Sequence, residues 1–363
     1  MSNKIPVGIL GATGAVGQNY INLLRDHPWF EVAYVAASPR SAGKKYGEVV
    51  ANKWLLGANV PGGIADLVIE DANFPDKAKG KCRFVFSALE LDSKDEIKAL
   101  ENAYAALGIP VVSNASAHRW TENVPMLIPE INASHLDVIA AQKKAHGWDS
   151  GFVVVKPNCS IQSYMIPVYA LMKAGYEVKR MFVSTMQAVS GAGYPGVPSL
   201  DMIDNVVPFI GGEEEKTEKE PSKIFGTVES GKIVNFDGLK VAAHCNRVPV
   251  IDGHTACVSL EFGAKKPSLE EIERIWTSFR GLPQELGLPF APEVPIIVRH
   301  ETNRPQPRRD RNEGKGMAVS VGRLRECPLF DVRFVGLSHN TVRGAAGGGI
   351  LNAELLKAKG FFG

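Results

Sequence analysis

Ile5-Pro6-Val7-Gly8-Ile9-Leu10, running without a break into Gly11-Ala12-Thr13-Gly14-Ala15-Val16-Gly17, is where the fold of this 363-residue chain is read. The first six residues form the apolar run of a buried strand. Residues 18–26 then take up helical spacing, with Val16, Tyr20, Leu23 and Leu24 on one face. Strand, glycine-rich turn and helix is the setting in which backbone can approach a pyrophosphate lying on a helix N-terminus. The spacing is G-x-x-G-x-x-G rather than G-x-G-x-x-G, so a glycine-rich turn of some other α/β domain is the competing reading.

Outward from that turn, residues 31–37 read as the second strand, ending in Ser38-Pro39-Arg40-Ser41-Ala42-Gly43-Lys44-Lys45. A site for NAD usually places Asp or Glu there for the ribose 2′-hydroxyl. Here Ser38, Arg40 and Ser41 suit a 2′-phosphate, which points to NADP; a solvated basic loop is the alternative. A strand near residues 66–69, a strand at 83–89, a helix at 95–107 and a strand at 109–112 follow. Strands alternating with helices imply a parallel, doubly wound sheet, and the polar strand ends at Ser38, Ser87 and Asn114 fit its ligand edge.

The second informative stretch is Val154-Val155-Lys156-Pro157-Asn158-Cys159-Ser160-Ile161-Gln162-Ser163. It reads as a strand over 152–155, a Pro-Asn turn, and a helix over 160–173. Cys159 then stands at a helix N-terminus, whose partial positive charge favours the thiolate. A buried structural cysteine is the plainer reading. Beyond it the pattern changes: strands at 181–189, 239–245, 255–262, 294–299, 317–324 and 331–335 outnumber the helices at 213–223 and 269–279. A mixed sheet in a second, α+β domain follows. The run 341–359 reads as a helix, and Gly344 and Gly347 to Gly349 in it imply close packing against a sheet or a cofactor.

Composition excludes several classes. With 45% hydrophobic and 22% charged residues the chain can fill two cores, and a net charge of +2 calls for no polyanionic partner. The five cysteines are odd in number and hold no C-x-x-C pair, the usage of a reducing compartment. No apolar run has membrane-spanning length and no signal-peptide cleavage pattern follows the N-terminus, so a cytoplasmic location is expected. His244, Cys245, His254 and Cys257 crowd together as a metal set would, but a two-residue period sends each neighbouring pair to opposite faces, and no metal is expected. The basic stretch at 300–311 carries prolines and acids without interleaved aromatics, which argues against nucleic acid. The acidic run at 213–220 reads by default as a solvated helix face.

Candidate partners for Cys159 are His254 at a turn between strands, Arg247 seven positions earlier, and Gln187 beside Ser190-Gly191-Ala192-Gly193. A thiolate, an imidazole, an arginine for a carboxylate and an NADP domain together describe an aldehyde or acyl-phosphate oxidoreductase. Singly, each has an ordinary reading as a packed histidine or an ion-pair arginine.

The chain closely resembles the aspartate-semialdehyde dehydrogenases, in particular the archaeal and fungal branch. The resemblance rests on the 11–17 glycine turn, Ser113-Asn114-Ala115-Ser116, the run from Val124 to Asn132, Pro157-Asn158-Cys159-Ser160, Gln187 to Gly193, Arg247-Val248-Pro249 with His254, and the run from Asp310 to Leu324. It implies a Rossmann-type NADP-binding domain over residues 1–157, completed by a C-terminal helix at 338–363. A catalytic and dimerisation α+β domain would span 158–337, in a homodimer or homotetramer. The implied reaction is the NADP- and phosphate-dependent interconversion of aspartate semialdehyde and aspartyl phosphate through a cysteine thioester, serving lysine, methionine, threonine and isoleucine biosynthesis. The resemblance makes Cys159 the nucleophile, His254 the residue that takes and returns the thiol and hydroxyl protons, and Gln187 the substrate-orienting residue. Arg247 would bind the substrate carboxylate and Glu213 its amine, with Lys216, Arg119 and Asn158 around phosphate. Gly11, Thr13, Gly14, Ala15, Val16, Ser38, Arg40, Ser41 and Ser87 would bind the cofactor, with Ser190, Gly191 and Asn340 at its nicotinamide half. One departure is that the region after Gly212 is shorter than in the larger bacterial branch, so Glu213 and Lys216 align across a length change. Malonyl-CoA reductase shares most of these motifs, and an NADP-sensing module with an inert cysteine is the reading from another class. The match from Gln187 to Gly193 disfavours N-acetyl-glutamyl-phosphate reductase.

Overall fold

Alternating strands and helices in the first half of the chain close into one six-stranded, wholly parallel sheet, in a computed structural model that describes residues 4–362. Its strands are β1 (Ile5–Leu10), β2 (Phe30–Ala37), β3 (Glu70–Asp71), β4 (Phe84–Ser87), β5 (Val111–Ser113) and β6 (Val153–Val155), in the order β3-β2-β1-β4-β5-β6. All but the two-residue β3 read as largely apolar runs because both faces are covered. Val85, Val111 and Val153 enter one core, while Phe84, Phe86, Val112 and Val154 enter the other. The strand order reverses between β1 and β4, which is where such sheets open a crevice for a ligand.

The first helix, Ala15–Leu23, covers one face with Tyr20 and Ile21. Beside it lies the last helix, Gly347–Ala358, contributing Ile350, Leu351, Leu355 and Leu356 to the same core. A single helix over 341–359 is corrected: Val342–Ala346 is a π-turn with Ala345 at φ −137° and ψ −108°, and the α-helix starts only after it. The glycines mark close approaches. A Cβ at Gly349 would collide with the Tyr20 hydroxyl, and one at Gly344 would lie 2.7 Å from Cys159 Cβ.

The second sheet is mixed, with β7 (Val178–Gln187), β10 (Lys240–Arg247), β11 (His254–Phe262), β12 (Ile296–Arg299), β13 (Val319–Glu326) and β14 (Val332–Ser338) in the order β10-β7-β11-β14-β13-β12. One face packs on the Met165–Lys173 and Leu269–Ser278 helices, where the indole of buried Trp276 donates to the Pro167 carbonyl at 2.9 Å. Exposed Cys257 and His244 lie on its other face. A short hairpin, β8 (Thr227–Glu229) with β9 (Lys232–Val234), and a helix at Ile139–His146 had no signal in the sequence pattern. The strand expected near 66–69 is instead the two-residue β3, preceded by an isolated bridge between Lys45 and Val68.

The π-turn is tied down by Arg343, whose guanidinium grips Glu130 through two bonds of 2.6 and 2.7 Å and reaches Gln162 at 3.2 Å. Both members of the pair are buried. A buried pair adds little net stability, but stripping one member leaves an unpaired charge in the core. Glu130→Ala is therefore expected to cost about 3–5 kcal/mol in urea unfolding. A loss below about 1 kcal/mol would show that Arg343 has another partner to turn to.

Candidate active site

Cys159 lies where the two sheets meet. After β6, Lys156-Pro157-Asn158 turns the chain, and Cys159 opens a 3₁₀ turn, Ser160–Ser163. Tyr164, at φ −143°, breaks the path before the α-helix begins at Met165, so the continuous helix expected from residue 160 is corrected to two segments. Tight contact explains the interruption. Gly336 of β14 passes so close to the Ser163 carbonyl that any Cβ there would collide with it. The helix end expected to favour a thiolate is thus only a four-residue 3₁₀ turn. Burial raises the thiol pKa above its ordinary value, helped by the charge of Glu213; Lys156, Arg119 and Arg247 pull the other way.

His254, fully buried at the start of β11, faces the thiol with Nε2 3.4 Å from Sγ. Its Nδ1 accepts the Ala188 backbone N–H at 3.0 Å. Burial, with Arg247 beside it, lowers the imidazole pKa to about 3, so the ring is neutral at physiological pH. Gln187 and Arg247 are register partners at the ends of β7 and β10. The Gln187 amide donates to Glu213 at 3.2 Å, and the Arg247 guanidinium donates to the Ala188 carbonyl at 2.7 Å.

Glu213 begins the Glu213–Ile224 helix and gathers three donors: Asn158 Nδ2 and Lys216 Nζ at 2.8 Å each, and Gln187. Burial works against its charge, but Lys216, Asn158 and Gln187 outweigh it and hold the carboxyl below its usual range. The structure thus brings Glu213 and Lys216 beside Cys159 despite the length change after Gly212. The reading of 213–220 as a solvated face is corrected, since Glu213, Thr217 and Glu220 form a buried stripe.

Glu220 is a site residue that the sequence reading passed over. One oxygen accepts Arg119 Nη1 at 2.8 Å and the other accepts the Asn158 backbone N–H at 2.7 Å. Its signal was the spacing 213, 217, 220, 224 on one helical face. Lys156 was passed over too. It is buried, and its ammonium donates to the Pro157 carbonyl at 2.7 Å and to the Gly344 carbonyl.

A cavity of about 400 Å³ unites Cys159, Asn158, Arg119, Glu213 and Lys216 with Ala15, Val16, Ser190, Gly191 and Asn340. Gln187, Arg247 and His254 do not line it, and Arg247 and His254 lie against Gly191 of its wall. Asn340 donates to Ser190 Oγ at 2.8 Å and accepts the Gly253 N–H at 2.7 Å, joining three loops. Gly11 has φ +72° and packs on the Ala88 carbonyl, where no side chain fits. Thr13 and Gly14 complete that turn, and Gly14 caps the Ala15–Leu23 helix. Arg40 and Ser41 line a second opening of about 320 Å³ with Lys44, Lys53 and Glu48. Ser38 is exposed beside it, its carbonyl accepting Ser41 N–H at 2.9 Å; Ser87 is fully buried at the end of β4 and lines neither opening. No cluster of three or more metal-ligating side chains occurs among the described residues. No helix among them is long and apolar enough to cross a membrane.

A thiol facing an imidazole, at the ligand edge of a dinucleotide-type sheet, belongs to the class of oxidoreductases that work through cysteine. Residues 6–139 match the family model for the semialdehyde dehydrogenase NAD binding domain, and residues 168–343 match that for the semialdehyde dehydrogenase dimerisation domain. The chain is 48% identical to the aspartate-semialdehyde dehydrogenase of Methanothermobacter thermautotrophicus, over 97% of this chain and 99% of that one. It is 46% identical to that of Schizosaccharomyces pombe over 98% of both. The crystal structure of the Candida albicans enzyme with NADP matches at a TM-score of 0.89 and 40% identity, covering 99% of this chain and 100% of that one. The chain belongs to the aspartate-semialdehyde dehydrogenase family.

Gly344→Ala presses a methyl group onto Cys159 Cβ. We expect alkylation of Cys159 by iodoacetamide, followed on its peptide by mass spectrometry, to slow about tenfold, the equivalent of 1–2 kcal/mol of overpacking. An unchanged rate would show that the turn yields without disturbing the thiol.

Proposed function

We propose that this chain interconverts L-aspartate 4-semialdehyde and L-4-aspartyl phosphate with NADP and inorganic phosphate. The observation that carries this reading is a thiol facing a neutral imidazole, with the thiol in a cavity lined also by the paired cations Arg119 and Lys216. Membership of the family and the similarity to an NADP-bound structure support it. Neither malonyl-CoA reductase nor an NADP sensor is favoured beside relatives of this identity and coverage.

The residues present fit NADP. Gly11 and Gly14 open the Ala15–Leu23 helix N-terminus to a pyrophosphate. Arg40, Ser41, Lys44 and Lys53 offer a 2′-phosphate a basic opening at the end of β2. Ser190, Gly191 and Asn340 would face the nicotinamide half. When bound, NADP supplies the acceptor for hydride.

Cys159 adds to the aldehyde carbon, and His254 Nε2 serves the oxygen that becomes anionic. Loss of hydride leaves a thioester on Cys159; phosphate attacks it and releases the thiolate and the acyl phosphate. Gln187 orients the substrate, Arg247 holds its carboxylate and Glu213 its ammonium. Lys216, Arg119 and Asn158 receive phosphate. We further propose that residues 1–157 with 338–363 bind the cofactor, and that 158–337 carry catalysis and self-association. The match of residues 168–343 to a dimerisation-domain model supports a homodimer or homotetramer. Five free cysteines support a reducing, cytoplasmic setting.

Reduction of NADP by aspartate semialdehyde is expected to require phosphate, to be slower with NAD, and to fall roughly 10³-fold or more in Cys159→Ala. Phosphate-independent turnover, or oxidation of NADPH by malonyl-CoA in place of this reaction, would overturn the assignment.

A further inference from the structure

The Lys94–Ala106 helix buries Ile97, Glu101, Tyr104 and Ala105 against the parallel sheet, so one carboxyl stands in a stripe of aliphatic and aromatic side chains. Glu101 is fully buried. Taking a carboxyl out of water is costly unless the fold gives it bonds in return. Burial pushes its pKa up to about 7, against the pull of the Ser113 and Ser87 hydroxyls. No step of the proposed reaction uses this group.

Its bond is to Ser113, the last residue of β5, whose hydroxyl donates to Glu101 Oε1 at 2.6 Å. The same hydroxyl oxygen accepts the Ala115 backbone N–H at 3.0 Å. A hydroxyl has one proton to give, so Glu101 takes it and leaves a lone pair facing Ala115. That closes the turn by which the chain leaves the sheet, and Asn114 N–H secures it to the Ser87 carbonyl at 2.9 Å. Asn114 and Ser116 then line the cavity together with Ala15 and Val16 of the first helix. Both polar atoms of the Asn114 side chain are buried. Neither is within hydrogen-bond distance of a partner among the described residues, the nearby Tyr20 hydroxyl included. An amide whose donor and acceptor are both unused suits a group that offers both, as the hydroxyls and the carboxamide of NADP do.

Resting on the reading that this cavity receives NADP, we propose that Glu101 is a positioning residue for the cofactor: by fixing the Ser113 hydroxyl it holds the Asn114–Ser116 turn in the shape that meets NADP. Glu101 touches no ligand and acts wholly through Ser113. A carboxylate suits the task, because a hydroxyl bonds it at shorter range and more strongly than it bonds a neutral acceptor, and 2.6 Å lies in that range. Without an acceptor at position 101 the Ser113 hydroxyl is free to rotate, and the Ala115 N–H loses its fixed partner. The turn loosens, and NADP must then order it on binding.

The test is NADP binding by isothermal titration calorimetry, set against adenosine 2′,5′-bisphosphate, which presents only the half of the cofactor that would meet Arg40 and Ser41. No substrate is present, so the result does not depend on the aldehyde assigned. In Glu101→Leu and in Ser113→Ala the Kd for NADP should rise about tenfold. The double variant should bind little more weakly than either, since both changes remove the same bond. Glu101→Gln keeps an acceptor for the hydroxyl and should stay within about threefold of the parent. The Kd for the bisphosphate should hold in every variant. An NADP Kd unchanged in both Glu101→Leu and Ser113→Ala, or a loss shared equally by the two ligands, would overturn the proposal. A parent protein that binds no NADP would remove the cofactor reading itself, and the proposal with it. Should Glu101→Leu not fold, Ser113→Ala alone decides, because Glu101 is held to act only through that hydroxyl.

Discussion

Everything at the site depends on the grip of one helix on one turn. The Glu213–Ile224 helix holds Asn158 twice, the backbone N–H through Glu220 and the side-chain amide through Glu213. Two carboxylates buried side by side would repel each other and pay heavily for lost water unless each met a cation. Arg119 meets Glu220 and Lys216 meets Glu213, so the pair of buried acids becomes a charge-balanced clamp. It fixes Cys159 between a parallel sheet suited to a dinucleotide and a mixed sheet that supplies Gln187, Arg247 and His254.

The C-terminal segment closes the arrangement from the other side. Gly344 packs on Cys159 and its carbonyl accepts from Lys156, while Arg343 one residue earlier is locked to Glu130. The irregular π-turn at Val342–Ala346 follows from these demands. A regular helix could not offer its carbonyl to Lys156, bring a glycine against the cysteine and reach Glu130 together.

Much of the architecture was legible because burial on both faces writes itself as apolar runs. The strands β1, β2, β4 and β6, the glycine turn after β1 and the change to a mixed sheet all leave that trace. The segment from Pro129 to His146 did not, because its short helices depend on tertiary contacts such as the His135 ring donating from Nε2 to the Gly226 carbonyl at 2.9 Å. At the site, residue types and motif order brought Cys159, His254, Gln187 and Arg247 forward. The burial that raises the thiol pKa was beyond such reading, because it comes from residues far apart in the chain that close around Cys159. Glu220 lay inside an acidic run that looked solvated, and only the four-three-four spacing of its buried stripe distinguished it. Lys156 adjoined the cysteine motif, but nothing in its neighbours revealed that its amine would turn inward.

On the proposed function, the aldehyde is oxidised while covalently held on Cys159. The direct measurement is to mix the protein with NADP and aspartate semialdehyde in the absence of phosphate, quench, and determine the mass of the peptide carrying Cys159. An aspartyl group on that peptide, formed together with reduced cofactor and discharged as an acyl phosphate when phosphate is added, is the expected result. Cofactor reduction with Cys159 left unmodified throughout would contradict covalent catalysis at this residue.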